Sequence, residues 1–192
     1  MAAFKEFLRE SYNLKVANII KPKKPKILLI SRQKSRLLLN EDKIMRLMKK
    51  LGFRVQKVKP NQMSNLDKFA KIINSCDMMV GVHGAGLTNQ IFLPDGAIVV
   101  QIVPLGLEWA SEHYFAIPAS NMHLRYLDYK IEPQESSLYE LYGPNDPIVS
   151  DPRSIWAKGF HTVKELYIDR QHIRVDLTRF RRTLLEAQKL LR

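Results

Sequence analysis

The chain carries a single cysteine, Cys76, in 192 residues, which excludes an internal disulfide and with it the stapled mini-scaffolds of small secreted proteins. It has no apolar run of about 18 residues, so nothing in it reads as a membrane span. Met1 to Asn13 mix polar and apolar positions and hold no apolar stretch of the kind a signal peptide needs. Acidic residues are scarce. The 19 Asp and Glu face 31 Lys and Arg, a net charge of +12, and such a balance favours phosphorylated ligands or polyanions. The basic residues are spread over several segments with no aromatic interleaving and no nucleic-acid motif, so nucleic acid is not an expected partner. Catalytic signatures are missing too. There is no HExxH pair, no G-x-S-x-G elbow, no P-loop lysine and no Asp-x-Asp-like pair for a metal-bound diphosphate. His113, His123, His161 and His172 have no close carboxylate or cysteine partner in helical register, so neither a metal centre nor a nucleophilic triad is expected.

Hydrophobic residues make up 45% of the chain, enough for the core of one ordinary domain. Phe4, Phe7, Leu8 and Tyr12 predict a short amphipathic helix, and Lys21-Pro22-Lys23-Lys24-Pro25 predicts a linker. Lys26 to Ser31 (KILLIS) is a buried strand, followed by a loop with Arg32 and Arg36. Asn40 is placed to cap a helix whose first turn holds Glu41 and Asp42 and whose apolar face is Ile44, Leu47, Met48 and Leu51. Phe53, Val55 and Val58 alternate as a second strand. Ser64 and Asp67 then suggest a capping box for a helix burying Leu66, Phe69, Ala70 and Ile73, with Cys76 buried and inert beyond it. Met78, Met79, Val80 and Val82 form a third strand, and Ala97 to Val103 a fourth after the turn Pro94-Asp95-Gly96. The β-α-β-α-β-α-β order predicts an α/β fold with a doubly wound parallel sheet. Beyond it, Leu105 to Ser120 reads as a loop or short helix, Leu124 to Tyr129 as one more strand, and Glu132 to Arg153 as an ordered excursion with little regular structure. Two helices close the chain, roughly Ser154 to Tyr167 and Asp176 to Leu191, the last with Leu177, Phe180, Leu184 and Leu190 on one face.

Three features converge on the carboxyl edge of such a sheet. Arg32 and Arg36 leave the first strand, His83-Gly84-Ala85-Gly86 leaves the third, and Glu108 follows the fourth. Two guanidiniums beside a helix N-terminus can hold a diphosphate, since their planar forks match phosphate oxygens and glycines let a phosphate approach the backbone. Leu87, Ile91 and Phe92 place a helix straight after the glycine turn, with Thr88 and Asn89 in its first turn, where they bind a ligand or merely cap. His83 can donate to a phosphate, polarise a leaving group, or simply bond to backbone. Solvated loop arginines and a tight-turn role for the glycines are the plain alternatives.

The segments ISRQKSRLLLN (Ile30 to Asn40), NSCDMMVGVHGAGLTNQIFLPDGAIVVQIVP (Asn74 to Pro104), LRYLDYKIEP (Leu124 to Pro133) and the closing DPRSIWAKGF…LYIDRQHIRVDLTRF resemble the plant branch of family 61 glycosyltransferases, from about Phe4 to the C-terminus. The resemblance implies a GT-B enzyme of two Rossmann-like domains, of which this chain matches the C-terminal, nucleotide-sugar-binding half. It divides the chain into an N-terminal helix and linker (1–25), a Rossmann-like domain (26–153) and C-terminal helices packing on it (154–192), the last of them able to offer an apolar face to the absent half. It implies an inverting, metal-independent transfer from UDP-xylose or UDP-arabinose to xylan or an N-glycan, with no cofactor, in the Golgi lumen, under an anchor that this chain lacks. Arg32 and Arg36 would then meet the diphosphate, and His83, Gly84, Ala85, Gly86, Thr88 and Asn89 would cradle the nucleotide, with Glu108 at the ribose. No catalytic base stands out beyond a possible role for His83. A truncated fragment or an inactive scaffold paralogue is the competing expectation.

Overall fold

The computed structural model describes residues 2–191, so Met1 and Arg192, at the ends of stretches read above, lie outside the described residues. Five strands form one parallel sheet: β1 (Lys26–Ile30), β2 (Arg54–Val58), β3 (Met78–Val82), β4 (Ile98–Val103) and β5 (Arg125–Lys130), in the spatial order β2-β1-β3-β4-β5. β3 and β4 are buried throughout and β1 from its second residue on, as expected of strands covered on both faces, whereas the edge strand β5 exposes Arg125, Asp128 and Lys130.

The faces separate by strand periodicity. Ile27, Leu29, Met78, Val80, Ile98 and Val100 point to one side, where α2 (Glu41–Lys50) lays Ile44 and Met48 on them. Leu28, Ile30, Met79 and Val99 point to the other, against Phe69, Ala70 and Ile73 of α3 (Leu66–Asn74). Each such fully buried aliphatic side chain contributes about 1.5–3 kcal/mol. The connection after β1 runs to α2 on the first face, while the segment after β3 places Leu87 and Phe92 in the second, so the two leave adjacent strands on opposite faces, as at a topological switch point.

Several local expectations are corrected. The segment after β3 is a run of 3-10 turns, Ala85–Phe92, and not an α-helix, so it has no α-helical N-terminus to offer an anion. Asn65, not Ser64, caps α3 by accepting from the Lys68 amide at 3.0 Å, and Leu66 is left exposed. Asn40 sits at the head of α2 but makes no side-chain cap. Residues 108–121 are continuously helical, α-helical over Glu108–Ser111 and Ile117–Asn121 with a π-helical middle, Glu112–Ala116. The excursion before the C-terminus is built of short helical turns, including Ser137–Tyr142 and Pro147–Ser150. The expected helix at Ser154 to Tyr167 is broken into Pro152–Trp156, Phe160–Val163 and a π-helical Lys164–Arg170.

The last helix, Leu177–Leu190, is capped by Asp176, which accepts from the amides of Thr178 and Arg179 at 2.7 and 2.9 Å. Its apolar face is turned inward: Phe180, Leu184 and Ala187 are wholly buried in the α2 side of the core, Leu177 is half-buried against it, and Leu190 is exposed. At the opposite end of the chain, α1 (Ala2–Ser11) buries Leu8 in the other layer. Its Lys5 and Arg9 both bond to Asp95, in the turn before β4, the second at 3.0 Å.

Candidate functional site

The loop after β1 carries Arg32 and Arg36 back over the end of β3. Arg36 adopts a left-handed backbone (φ 52°) and is 8% exposed, and its Nη1 donates to the His83 carbonyl at 2.8 Å. Arg32 is held by its own loop, Nε donating to the Ser35 carbonyl at 2.8 Å. Both guanidiniums lie against Gly84. A Cβ there would meet Arg32 Nη1 at 2.3 Å and Arg36 Nη1 at 3.2 Å, and its φ of 147° belongs to glycine in any case. The sequence pair Arg32/Arg36 and the glycine turn are thus one structure.

The electrostatics of this corner are unbalanced. Among the described residues neither guanidinium has a carboxylate within 4.0 Å, and Arg36 Nε is buried without a hydrogen-bond partner. Burial, then the charge of Arg32, pushes Arg36 down to about 10, against a partial pull upward from Asp169. Burial lowers Arg32 as well. Two like charges crowded on one turn repel, an arrangement that an anion would relieve.

A second segment fixes the arginine loop. Gln171 accepts from the Arg36 amide at 2.8 Å through its carbonyl, while its fully buried side chain pairs with both the amide and the carbonyl of Leu105 at 2.9 and 3.0 Å. Ile173 donates to the Leu37 carbonyl and accepts from the Leu39 amide. Asn40, instead of capping α2, exchanges two hydrogen bonds with the backbone of Val175, at 2.8 and 3.1 Å. Residues 171–175 therefore act as a strap that ties the loop after β1 to the loop after β4.

His83 closes β3, its amide donating to the Ile102 carbonyl at 3.0 Å. Its ring is edge-on to Phe115, centroids 5.1 Å apart, and Nδ1 lies 3.0 Å from Ser111 Oγ and 2.9 Å from Gln101 Nε2. Gln101 Nε2 also reaches Ser111 Oγ at 2.9 Å, and Gln101 Oε1 accepts from the Tyr126 hydroxyl at 2.8 Å. Burial, followed by the charges of Arg36 and Arg32, pushes His83 down to about 4, so the ring is neutral at physiological pH. Ser111 and Phe115, four residues apart where the helix becomes π-helical, share a face and meet the same imidazole.

Beside this network lies a cavity of about 710 Å³, walled by Glu108, Ser111, Tyr126, Asp128, Arg153 and the two tryptophans, Trp109 and Trp156. Arg32, Arg36 and His83 do not line it, but Ser111 and Tyr126 belong both to the cavity and to the His83 network. Glu108 stands at its rim and accepts from the Gly106 amide at 3.2 Å. Ala85 and Gly86 continue the turn away from the arginines, the former exposed. Thr88 donates to the Ala85 carbonyl at 2.6 Å and Asn89 to the Gly86 carbonyl at 3.0 Å, so both bond within their own turn. Arg32, Arg36, His83 and Gly84 are therefore brought together, Glu108 is set apart across the network, and Thr88 and Asn89 are engaged locally. Among the described residues no group of three or more His, Cys, Asp and Glu side chains is placed to hold a metal ion.

Sequence reasoning missed Gln101, Ser111, Tyr126 and Gln171. The signal for Gln101 is plain in retrospect: it is the one polar residue in the run Ile98-Val99-Val100-Gln101-Ile102-Val103 and it is wholly buried. A polar side chain in such a strand must be hydrogen-bonded, and so must have a partner.

The family described as Glycosyltransferase 61 matches this chain over residues 2–100. The chain is 42% identical over 178 residues to a xylan glycosyltransferase of Arabidopsis thaliana, covering 93% of this chain and 36% of that protein. It is also 42% identical over 193 residues to an alpha-1,3-arabinosyltransferase of Oryza sativa subsp. japonica, with 97% of this chain and 34% of the relative covered. A beta-1,2-xylosyltransferase of the same rice is 39% identical over 199 residues, with 100% and 42% covered. The chain thus spans about a third to two fifths of the length of these relatives. No helix among the described residues is long and apolar enough to cross a membrane.

Proposed function

The chain belongs to the glycosyltransferase 61 family, and from that premise we propose that it is the nucleotide-sugar-binding domain of an inverting, metal-independent pentosyltransferase of GT-B architecture. The donor is UDP-xylose or UDP-arabinose and the acceptor is a xylan or N-glycan, met by the part of the relatives that this chain does not span. One observation carries the reading. A buried Arg36 and a half-buried Arg32 converge on a glycine that leaves them room, with no carboxylate in ion-pair range among the described residues and the Arg36 Nε buried without a partner. A diphosphate supplies what is missing: two negative groups whose oxygens match the planar guanidinium forks and accept from their free N–H groups.

In this reading Arg32 and Arg36 grip the diphosphate and neutralise the leaving group where other transferases use a metal ion. The adjoining cavity, with Glu108 at its rim and Trp109 and Trp156 in its walls, takes the nucleoside, the carboxylate accepting from ribose hydroxyls. The longer protein works in the Golgi lumen, held by an anchor outside this chain. An inactive scaffold paralogue is disfavoured, because a buried histidine and two crowded arginines with no carboxylate in ion-pair range among the described residues are costly to keep without a ligand.

Calorimetric titration tests the reading. UDP is expected to bind with and without EDTA, and uridine at least about thirtyfold more weakly, since the diphosphate carries the charge-assisted bonds, worth ~2 kcal/mol. Equal binding of uridine and UDP, or strict dependence on a divalent cation, would contradict it. Transfer of pentose to xylan oligosaccharides by a longer protein containing this chain, lost on Arg36→Ala, completes the test.

A further inference from the structure

Gln101 sits at the centre of the buried polar network, fully inaccessible, in register with Gly81 on one side and Asp128 on the other. Its carboxamide has two N–H donors and one carbonyl acceptor. In the structure the Tyr126 hydroxyl donates to that carbonyl at 2.8 Å. Both N–H groups then point the other way, one to Ser111 Oγ at 2.9 Å and one to His83 Nδ1 at 2.9 Å. The Ser111 hydroxyl, having accepted from Gln101, has its own proton free for Nδ1 at 3.0 Å. Every donor near Nδ1 thus aims at its lone pair, and a neutral imidazole in that setting carries its proton on Nε2.

We infer that Gln101 is a positioning residue that locks His83 as the neutral Nε2–H tautomer, through a relay running from Tyr126 to the imidazole. The consequence concerns the role of His83. A ring held this way offers a ligand a hydrogen bond and no lone pair, so His83 is a donor to a bound oxygen and does not take the proton of an acceptor hydroxyl. Protonating Nδ1 would set an N–H against the Gln101 N–H, beside two guanidiniums. The relay also couples two parts of the corner, since Tyr126 and Ser111 line the cavity while the His83 carbonyl holds Arg36. What the Nε2 proton does rests on the donor-site reading above; where the proton sits does not.

The test is long-range ¹H–¹⁵N correlation NMR of the ligand-free protein at neutral pH, with the His83 signals assigned by their loss in His83→Gln. The expected result is a single Nε2–H pattern for His83. Gln101→Glu, whose carboxylate accepts where the amide donated, should move the proton to Nδ1 or give the imidazolium. Tyr126→Phe, a milder change that frees the amide to turn, should give a mixture of tautomers. An Nδ1–H or imidazolium His83 in the wild type overturns the inference, and so does an unchanged tautomer in folded Gln101→Glu or Tyr126→Phe. UDP titrated into the same sample separates the two readings. An Nε2–H His83 in a protein that binds no UDP leaves the lock standing and removes the donor site.

Discussion

The two ends of the sheet handle buried charge in opposite ways. At the amino end, Lys5 (4% exposed) and Arg9 converge on Asp95, and Lys5 also donates to the Met122 carbonyl at 2.9 Å. At the carboxyl end, Arg32 and Arg36 crowd Gly84 with no carboxylate in ion-pair range among the described residues. Both places gather cations on one turn, yet only one of them is neutralised from within. The paired cluster secures α1 to the domain, and the one without a carboxylate is where the proposed diphosphate would bind. Burial alone does not distinguish structure from function here; satisfaction does.

The comparison breaks first at Asp95. Asp95→Ala should cost ~3 kcal/mol, because it strands a buried lysine, and the loss is read as a lowered urea midpoint. UDP affinity should stay unchanged. At the other end the signs reverse. Arg36→Ala should lower UDP affinity at least about thirtyfold, or ~2 kcal/mol of charge-assisted hydrogen bonding, while unfolding shifts by less than ~1 kcal/mol, as relief of like-charge repulsion offsets the lost bond to the His83 carbonyl. A large stability loss without an affinity loss would make Arg36 a structural residue like Lys5.

Gly84→Ala combines both effects on a smaller scale. Its Cβ displaces Arg32, and its backbone is strained by about 1–2 kcal/mol, so both urea midpoint and UDP affinity should fall. The two ends also titrate in different windows. His83 is unprotonated in the folded state down to about 4 but takes a proton near 6.5 when unfolded, so acidification through that interval favours unfolding, by up to ~3 kcal/mol. His83→Gln should flatten that slope. Burial alone would raise Asp95, but the hydrogen bond and charge of Lys5 and the charge of Arg9 outweigh it and leave the carboxyl below its usual range. Its contribution is therefore complete above the ordinary carboxylate value near 4 and is lost as pH falls through the depressed value, a smaller effect that Asp95→Asn should remove. The downward shift that burial gives Lys5 concerns alkaline pH and leaves this window untouched.

Much of this was legible in the chain itself. The runs KILLIS and Met78 to Val82 announce a parallel sheet, because a strand buried on both faces has a recognisable composition, and the arginine loop and glycine turn mark the edge where the candidate site lies. The rest was hidden where distant contacts decide between locally equal options. Leu87 and Ile91 suit an α-helix, yet Pro94 follows too soon for a helix to run the length of the sheet, and the segment settles as 3-10 turns. Ser64 and Asn65 are both capable caps, and only the path of the chain selects Asn65. Asn40 leaves its helix uncapped because Val175, 135 residues away, takes its amide. The strap over the arginine loop has no local signature at all, since backbone atoms of residues 171–175 make most of its bonds.

The most direct measurement is thermal unfolding of the chain with and without millimolar UDP, in EDTA, for the wild type, Arg36→Ala and Asp95→Asn. A ligand at 100 times its dissociation constant adds about 2.7 kcal/mol, roughly 5–10 °C for a domain of this size. The account predicts that rise in the wild type and, from a lower baseline, in Asp95→Asn, and at most about a third of it in Arg36→Ala. No rise in the folded wild type, or an equal rise in Arg36→Ala, would contradict it.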